Sequence, residues 1–174
     1  MASEDRFREV FNAVEPLIER RYGIPVVISD VPNPFTGDLD GNEIQVDYDL
    51  GAEEAAFILV HLFGHTVQWN ISAEAREIGG AAPAVERIPE VEIYERTACE
   101  YSMQLFHEAG VTDLDQWLSD FAACDVAYLK HFYLTGEKRP WRDFWVDNAP
   151  LIKPRPIPPF EPRVWRSRWQ GTVV

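Results

Sequence analysis

The sequence is poor in cysteine, in basic side chains and in long apolar runs. Its two cysteines, Cys99 and Cys124, are too few for a disulfide framework and lack the paired spacing of a cysteine-built zinc site, so both read as buried free thiols. Only 16 Lys and Arg stand against 29 Asp and Glu, and the resulting charge of −13 repels phosphate backbones and anionic lipid surfaces. Neither nucleic acid nor membrane is expected as a partner. No apolar stretch reaches the roughly 18 residues of a membrane-spanning helix, and the charged segment Met1 to Glu9 does not read as a signal peptide, so a cytoplasmic location is expected. What is present is a chain of 174 residues, 46% hydrophobic, enough for one core of ordinary size.

Residues 4 to 22 place Phe7, Val10, Val14, Leu17, Ile18 and Tyr22 at helical intervals, with Ser3 to cap, Gly23 to stop and Pro16 to bend the second half. Pro25 to Ile28 is a short β-branched run, and the turn-rich residues 29 to 42 read as a loop. Glu43 to Leu50 alternates polar and apolar residues, which predicts a strand burying one face at the edge of a sheet. From Ala52 to Trp69 the chain is apolar at nearly every position between Ala55 and Phe63, the pattern of a helix surrounded by protein. Residues 70 to 89 carry Gly79, Gly80 and Pro83 without a sustained period, which predicts a loop and candidate flap with a helical turn at Ala73 to Glu77. Two helices follow, over 90 to 109 and from a Thr112 cap to Gly136, then a short helical segment around Trp141 and Trp145.

The expected fold class is α+β, mainly helical with a small β-sheet over residues 1–149, followed by an extended arm over 150–174 that holds six of the 13 prolines. The arm carries Lys153, Arg155, Arg163, Arg166 and Arg168 against Glu161, a charge of +4 facing −17 on the rest of the chain. With Phe160, Trp165 and Trp169 interleaved, it is expected to pack on its own body or on a second copy in a homo-oligomer.

Two of the four histidines fall in His61-Leu62-Phe63-Gly64-His65, so their rings leave one face of the central helix a turn apart and can share one metal ion. The same stripe runs through Glu54, Ile58 and Gln68, which makes Gln68 a candidate for contacting the site or its ligand. On the next helix Glu92, Glu95 and Cys99 line a stripe beside Tyr94, Ala98 and Tyr101, so Glu95 sits at the edge of a buried face. A carboxylate there needs a positive partner, either a divalent ion or an arginine such as Arg87 or Arg96. Asp125 interrupts the apolar face of the last helix, where it either orients a ligand histidine or lies at the rim. His107 and His131 lie in the last turns of their helices and are left out of the site.

The run Glu53-Glu54-Ala55-Ala56-Phe57-Ile58-Leu59-Val60-His61-Leu62-Phe63-Gly64-His65-Thr66-Val67-Gln68, followed by Glu95-Arg96-Thr97-Ala98-Cys99-Glu100, resembles the ImmA/IrrE group of zincin metallopeptidases. The resemblance implies a zincin-like fold, His61, His65 and Glu95 as metal ligands, and a peptide received along the strand Glu43 to Leu50. Position 62 departs from it: Leu62 stands where the hydrolytic family has its general base, a loss worth about 10²–10⁴-fold in rate. Glu92 and Glu54 are the candidate replacements.

Three functions follow. The first is a metal-dependent enzyme using the two-His, one-Glu site for Lewis-acid chemistry on a peptide or small molecule, with zinc as the expected ion and iron, which shares the ligand set, as the alternative. The second is a catalytically degenerate, peptidase-like binding or regulatory module. The third discards the metal and leaves a helical interaction protein that assembles through its arm.

Overall fold

Ser3 accepts a hydrogen bond from Arg6 N at 3.2 Å and so opens α1 (Glu4–Tyr22), which Gly23 closes in the left-handed conformation at φ 67°. Phe7, Val10, Val14 and Ile18 form its buried stripe, and Pro16 lies within the continuous helix. The computed structural model to which this helix belongs describes residues 2–32, 35–80 and 82–166. Among them the fold is mixed α+β, with five α-helices and one three-stranded sheet. Arg168 and Trp169 of the expected arm lie outside the described residues.

The sheet is built from β1 (Val26–Ser29), β2 (Gly37–Leu39) and β3 (Ile44–Asp47) in the order β1-β3-β2. β3 pairs parallel to β1, with Val26 opposite Ile44, and antiparallel to β2, with Gly37 opposite Val46. This corrects two expectations. The strand within Glu43 to Leu50 is central rather than at the edge, and the segment expected to be all loop contributes the edge strand β2.

α2 (Ala52–Ile71) packs against α1, α4, β2 and β3, as its apolar circumference requires. Residues 70–89 hold more structure than expected: α3 (Ala73–Gly79), capped by Ser72, and a short 3-10 turn at Val85–Arg87. α4 (Ile88–Glu108) and α5 (Asp115–Thr135) follow, α5 ending at Gly136 with φ 68°. α5 begins later than a Thr112 cap requires; Leu114 holds the cap position and supplies no side-chain bond. A 3-10 turn at Trp141–Phe144 packs on α5, and residues 150–166 contain neither helix nor strand. They touch the body through Arg155 Nε on Glu100 at 2.6 Å, Arg163 N on Asn70 Oδ1 at 3.0 Å and Trp165 N on Asp40 O at 2.8 Å. No helix among the described residues is long and apolar enough to cross a membrane.

Candidate metal centre

The centre lies where α2 crosses α4, and Gly64 sets how close the two helices come. A Cβ at position 64 would overlap the Ala98 carbonyl and lie 2.9 Å from the Ala98 Cα, so only a residue without a side chain permits this separation. Ser102 Oγ donates to Val60 O at 2.7 Å across the same crossing. The rings of His61 and His65, one turn apart on α2, are thereby brought onto Glu95 of α4. His65 Nε2 lies 3.0 Å from His61 Nε2 and 2.9 Å from Glu95 Oε2, and His61 Nε2 lies 3.1 Å from the same oxygen. All three residues are buried, at 8, 6 and 6% exposure for His61, His65 and Glu95.

The surrounding side chains fix how these atoms face the centre. Gln68 Nε2 donates to Tyr94 O at 2.9 Å, which turns Gln68 Oε1 toward His65 Nδ1, also at 2.9 Å, and makes that nitrogen the donor. His65 Nε2 then presents a lone pair. Its 2.9 Å contact with Glu95 Oε2 sets two acceptors against each other unless a second proton or a metal cation lies between them. The His65 ring stacks on Tyr94 at 4.4 Å, and the His61 ring on Phe57 at 5.1 Å. Cys99 Sγ sits 3.5 Å from His61 Nδ1.

Size supports a metal as well. Ligand atoms about 2.1 Å from one zinc ion stand about 3.0 Å apart at a right angle and about 3.4 Å apart at the tetrahedral angle. The observed triangle, 2.9–3.1 Å on a side, has the right-angle spacing, and each pair would part by about 0.3–0.5 Å to reach the tetrahedral one. Among the described residues this is the group of His, Cys, Asp and Glu side chains suited to hold an ion.

Electrostatics follows the same grouping. Burial pushes Glu95 up, but His65 and His61 outweigh it and hold the carboxyl well below the usual range. Asp125 is pushed up to about 7, chiefly by burial and further by the Glu95 charge, with His61 opposing. Its Oδ2 lies 3.7 Å from His61 Nε2. Burial also raises the Cys99 thiol, with Asp125, Glu95 and Glu100 adding to it, so the sulfur is held as a neutral thiol.

The remaining sequence candidates fall in different places. Glu95 is not held by arginine: Arg87 pairs with Glu90 and Glu77, and Arg96 faces Glu100. Glu92 points away from the centre and receives Lys130 Nζ at 2.9 Å. Glu54 does line the cavity above the centre, where it accepts Trp141 Nε1 at 2.8 Å. Gln68 acts on His65 from behind. His107 is bonded to Asp115 at 2.9 Å, remote from the cluster.

The cavity measures about 420 Å³, and His61, His65, Glu95 and Asp125 share its wall with Phe35, Ile58, Leu62, Phe121, Tyr128 and Trp141. Three contributors were not visible in the sequence: Gly64, whose role depends on what it meets; the edge strand β2; and Arg166, about a hundred residues from the histidines, which also lines the cavity. No family model, curated protein or solved structure matches the chain.

Proposed function

We propose that this chain is a metal-dependent enzyme on a zincin-like scaffold, in which His61, His65 and Glu95 hold one divalent ion, zinc in the first place. The observation that carries the reading is the buried triangle of two imidazole nitrogens and one carboxylate oxygen opening on a cavity of about 420 Å³. A bound zinc ion supplies Lewis-acid polarisation of a carbonyl or similar group. The chain's own residues do the rest. Gln68 keeps His65 in the tautomer that faces the ion, and the stacked rings of Phe57 and Tyr94 hold both imidazoles.

Leu62 argues against the hydrolytic mechanism of the family that the motif resembles, since no carboxylate occupies that position. Asp125, reaching in from α5, is the acid beside the cluster on the cavity wall and is placed to accept a hydrogen bond from a ligand there. The partner is a small molecule or a short peptide. For a peptide, the receiving edge is β2, which lines the cavity, rather than β3, whose two edges are already paired. Leu62 also favours a second reading, a binding module that keeps the ion and performs no turnover.

Metal analysis of untagged protein tests the ion: about one equivalent is expected in wild type and a large loss in His65→Ala, whereas less than about a tenth of an equivalent after reconstitution overturns the reading. A screen of peptides, esters and lactones then separates enzyme from module. Turnover that chelation abolishes supports the first; a loaded protein inert to all of them supports the second.

A further inference from the structure

The spacing of the three donor atoms constrains what else an ion there can hold. An ion about 2.1 Å from each corner of a triangle 2.9–3.1 Å on a side lies about 1.2 Å out of its plane, with the three bonds close to right angles. Two histidines and one carboxylate at right angles are one face of a six-coordinate ion, and the positions of the opposite face stay open, each next to the others. His61, His65 and Glu95 all line the cavity, so the cavity is where a ligand meets that open face. Two adjacent positions take both oxygens of a chelating ligand.

Asp125 says what those oxygens carry. Its side chain is 17% exposed, lines the same cavity and, among the described residues, accepts no hydrogen bond; its Oδ2 lies 3.7 Å from His61 Nε2, too far for one. A buried carboxylate without a donor is costly unless a ligand supplies one. A hydroxyl bound on the ion beside His61 has a hydrogen to give, whereas a carboxylate or keto oxygen has none. The walls indicate the rest of the ligand. From the His61 ring, Phe57, Phe121 and Trp141 follow in a run of stacked rings with successive centroids 5.1, 3.8 and 4.7 Å apart, and Glu54 holds the last by accepting Trp141 Nε1 at 2.8 Å. All of them line the cavity, and such a wall favours an aromatic body through stacked or edge-to-face contacts.

We infer that the cavity binds an aromatic vicinal diol, whose two oxygens take adjacent positions on the ion held by His61, His65 and Glu95 while one of them donates a hydrogen bond to Asp125 and the ring lies against Phe57, Phe121 and Trp141. On binding, one hydroxyl gives its proton to solvent and coordinates as the anion, and the other keeps its hydrogen for Asp125. This deepens the proposed function by naming the substrate class, and it rests on that reading, since the ion is what the two oxygens grip.

Calorimetric titration of the zinc-loaded full chain with 2,3-dihydroxynaphthalene and with its 2,7 isomer, repeated after chelation, tests this. The isomers share rings and hydroxyls, and only the first can place both oxygens on one ion. Metal analysis before and after each titration follows the ion separately. The loaded protein is expected to keep its zinc and to bind the 2,3 isomer about tenfold or more tightly than the 2,7 isomer, a preference that chelation abolishes. Asp125→Asn, which keeps the shape and exchanges a charged acceptor for a neutral one, should retain zinc and weaken the 2,3 isomer about tenfold. Equal binding of the isomers, binding of neither, or a preference that survives chelation, in protein that holds zinc, overturns the inference and leaves the metal reading standing. Removal of zinc by the diol in place of a ternary complex overturns it in the same way, as does an Asp125→Asn protein that binds the 2,3 isomer as wild type does. Protein that takes up no zinc at all fails the metal reading first, before any diol is added, and the inference with it.

Discussion

If the triangle of His61, His65 and Glu95 binds zinc in the native state alone, zinc must raise the melting temperature by an amount that can be worked out. An ion present at about a thousand times its dissociation constant stabilises the native state by about 4 kcal/mol. Unfolding entropy of about 2.1 cal/mol/K per residue gives about 370 cal/mol/K for a chain of 174 residues, so each kcal/mol moves the midpoint by about 2.7 °C. The expected rise is therefore about 11 °C between chelated and zinc-saturated protein, measured by scanning calorimetry. Gln68→Leu removes the acceptor at His65 Nδ1, a loss of orientation worth about 10–100-fold in metal affinity, or about 4–7 °C of that rise. His65→Ala should abolish it. Because each variant is compared with its own chelated form, any cost to the fold itself cancels. A zinc-induced rise in His65→Ala equal to that of wild type would refute the assignment of the ion to this cluster.

Two further substitutions test the framework that positions the centre. Gly64→Ala gains about 1 kcal/mol of helix propensity but drives a methyl into the Ala98 backbone, which no rotamer change relieves; a net loss of about 2 kcal/mol in urea titration is expected, together with weakened zinc binding. Asp120→Ala, at a buried site bonded to Gln116 and Ala149 rather than to the cluster, leaves the Ala149 N–H without the acceptor it now has at 2.8 Å and should cost about 1–3 kcal/mol by the same titration with the zinc response unchanged.

The helices were readable where local chemistry decides them. Ser3 and Gly23 bound α1 because a cap bond and a left-handed residue act within one turn of the helix they end. Thr112 carried the same signal and did not act on it, since α5 starts after a turn at Asp113 and Leu114 and its first turn is held without a side-chain cap. β3 was found but misplaced in the sheet. Alternation along Ile44, Gln45, Val46 and Asp47 reports which face is buried, whereas edge or centre depends on whether neighbouring backbones fill the hydrogen-bonding directions. β2 had almost no local signal, because Gly37-Asp38-Leu39 has poor strand propensity and becomes a strand through pairing with β3.

The centre divides along the same line. Helical spacing alone put His61 and His65 on one face, and the apolar register of α4 put Glu95 at the edge of its buried side; the distance between the two helices, set by Gly64 against Ala98, belongs to tertiary packing. Packing also explains the apolar side chain between the two histidines. Leu62 faces Gly37 and joins the small cluster of Leu39, Trp69 and Tyr94, so its side chain bridges the sheet edge to α2 on the cavity wall. A carboxylate at that position would be desolvated against the strand, whereas Asp125 reaches the cluster from the opposite helix at 3.7 Å from His61. At Leu62 the wall beside the cluster is apolar, and the acid near His61 comes from the facing element.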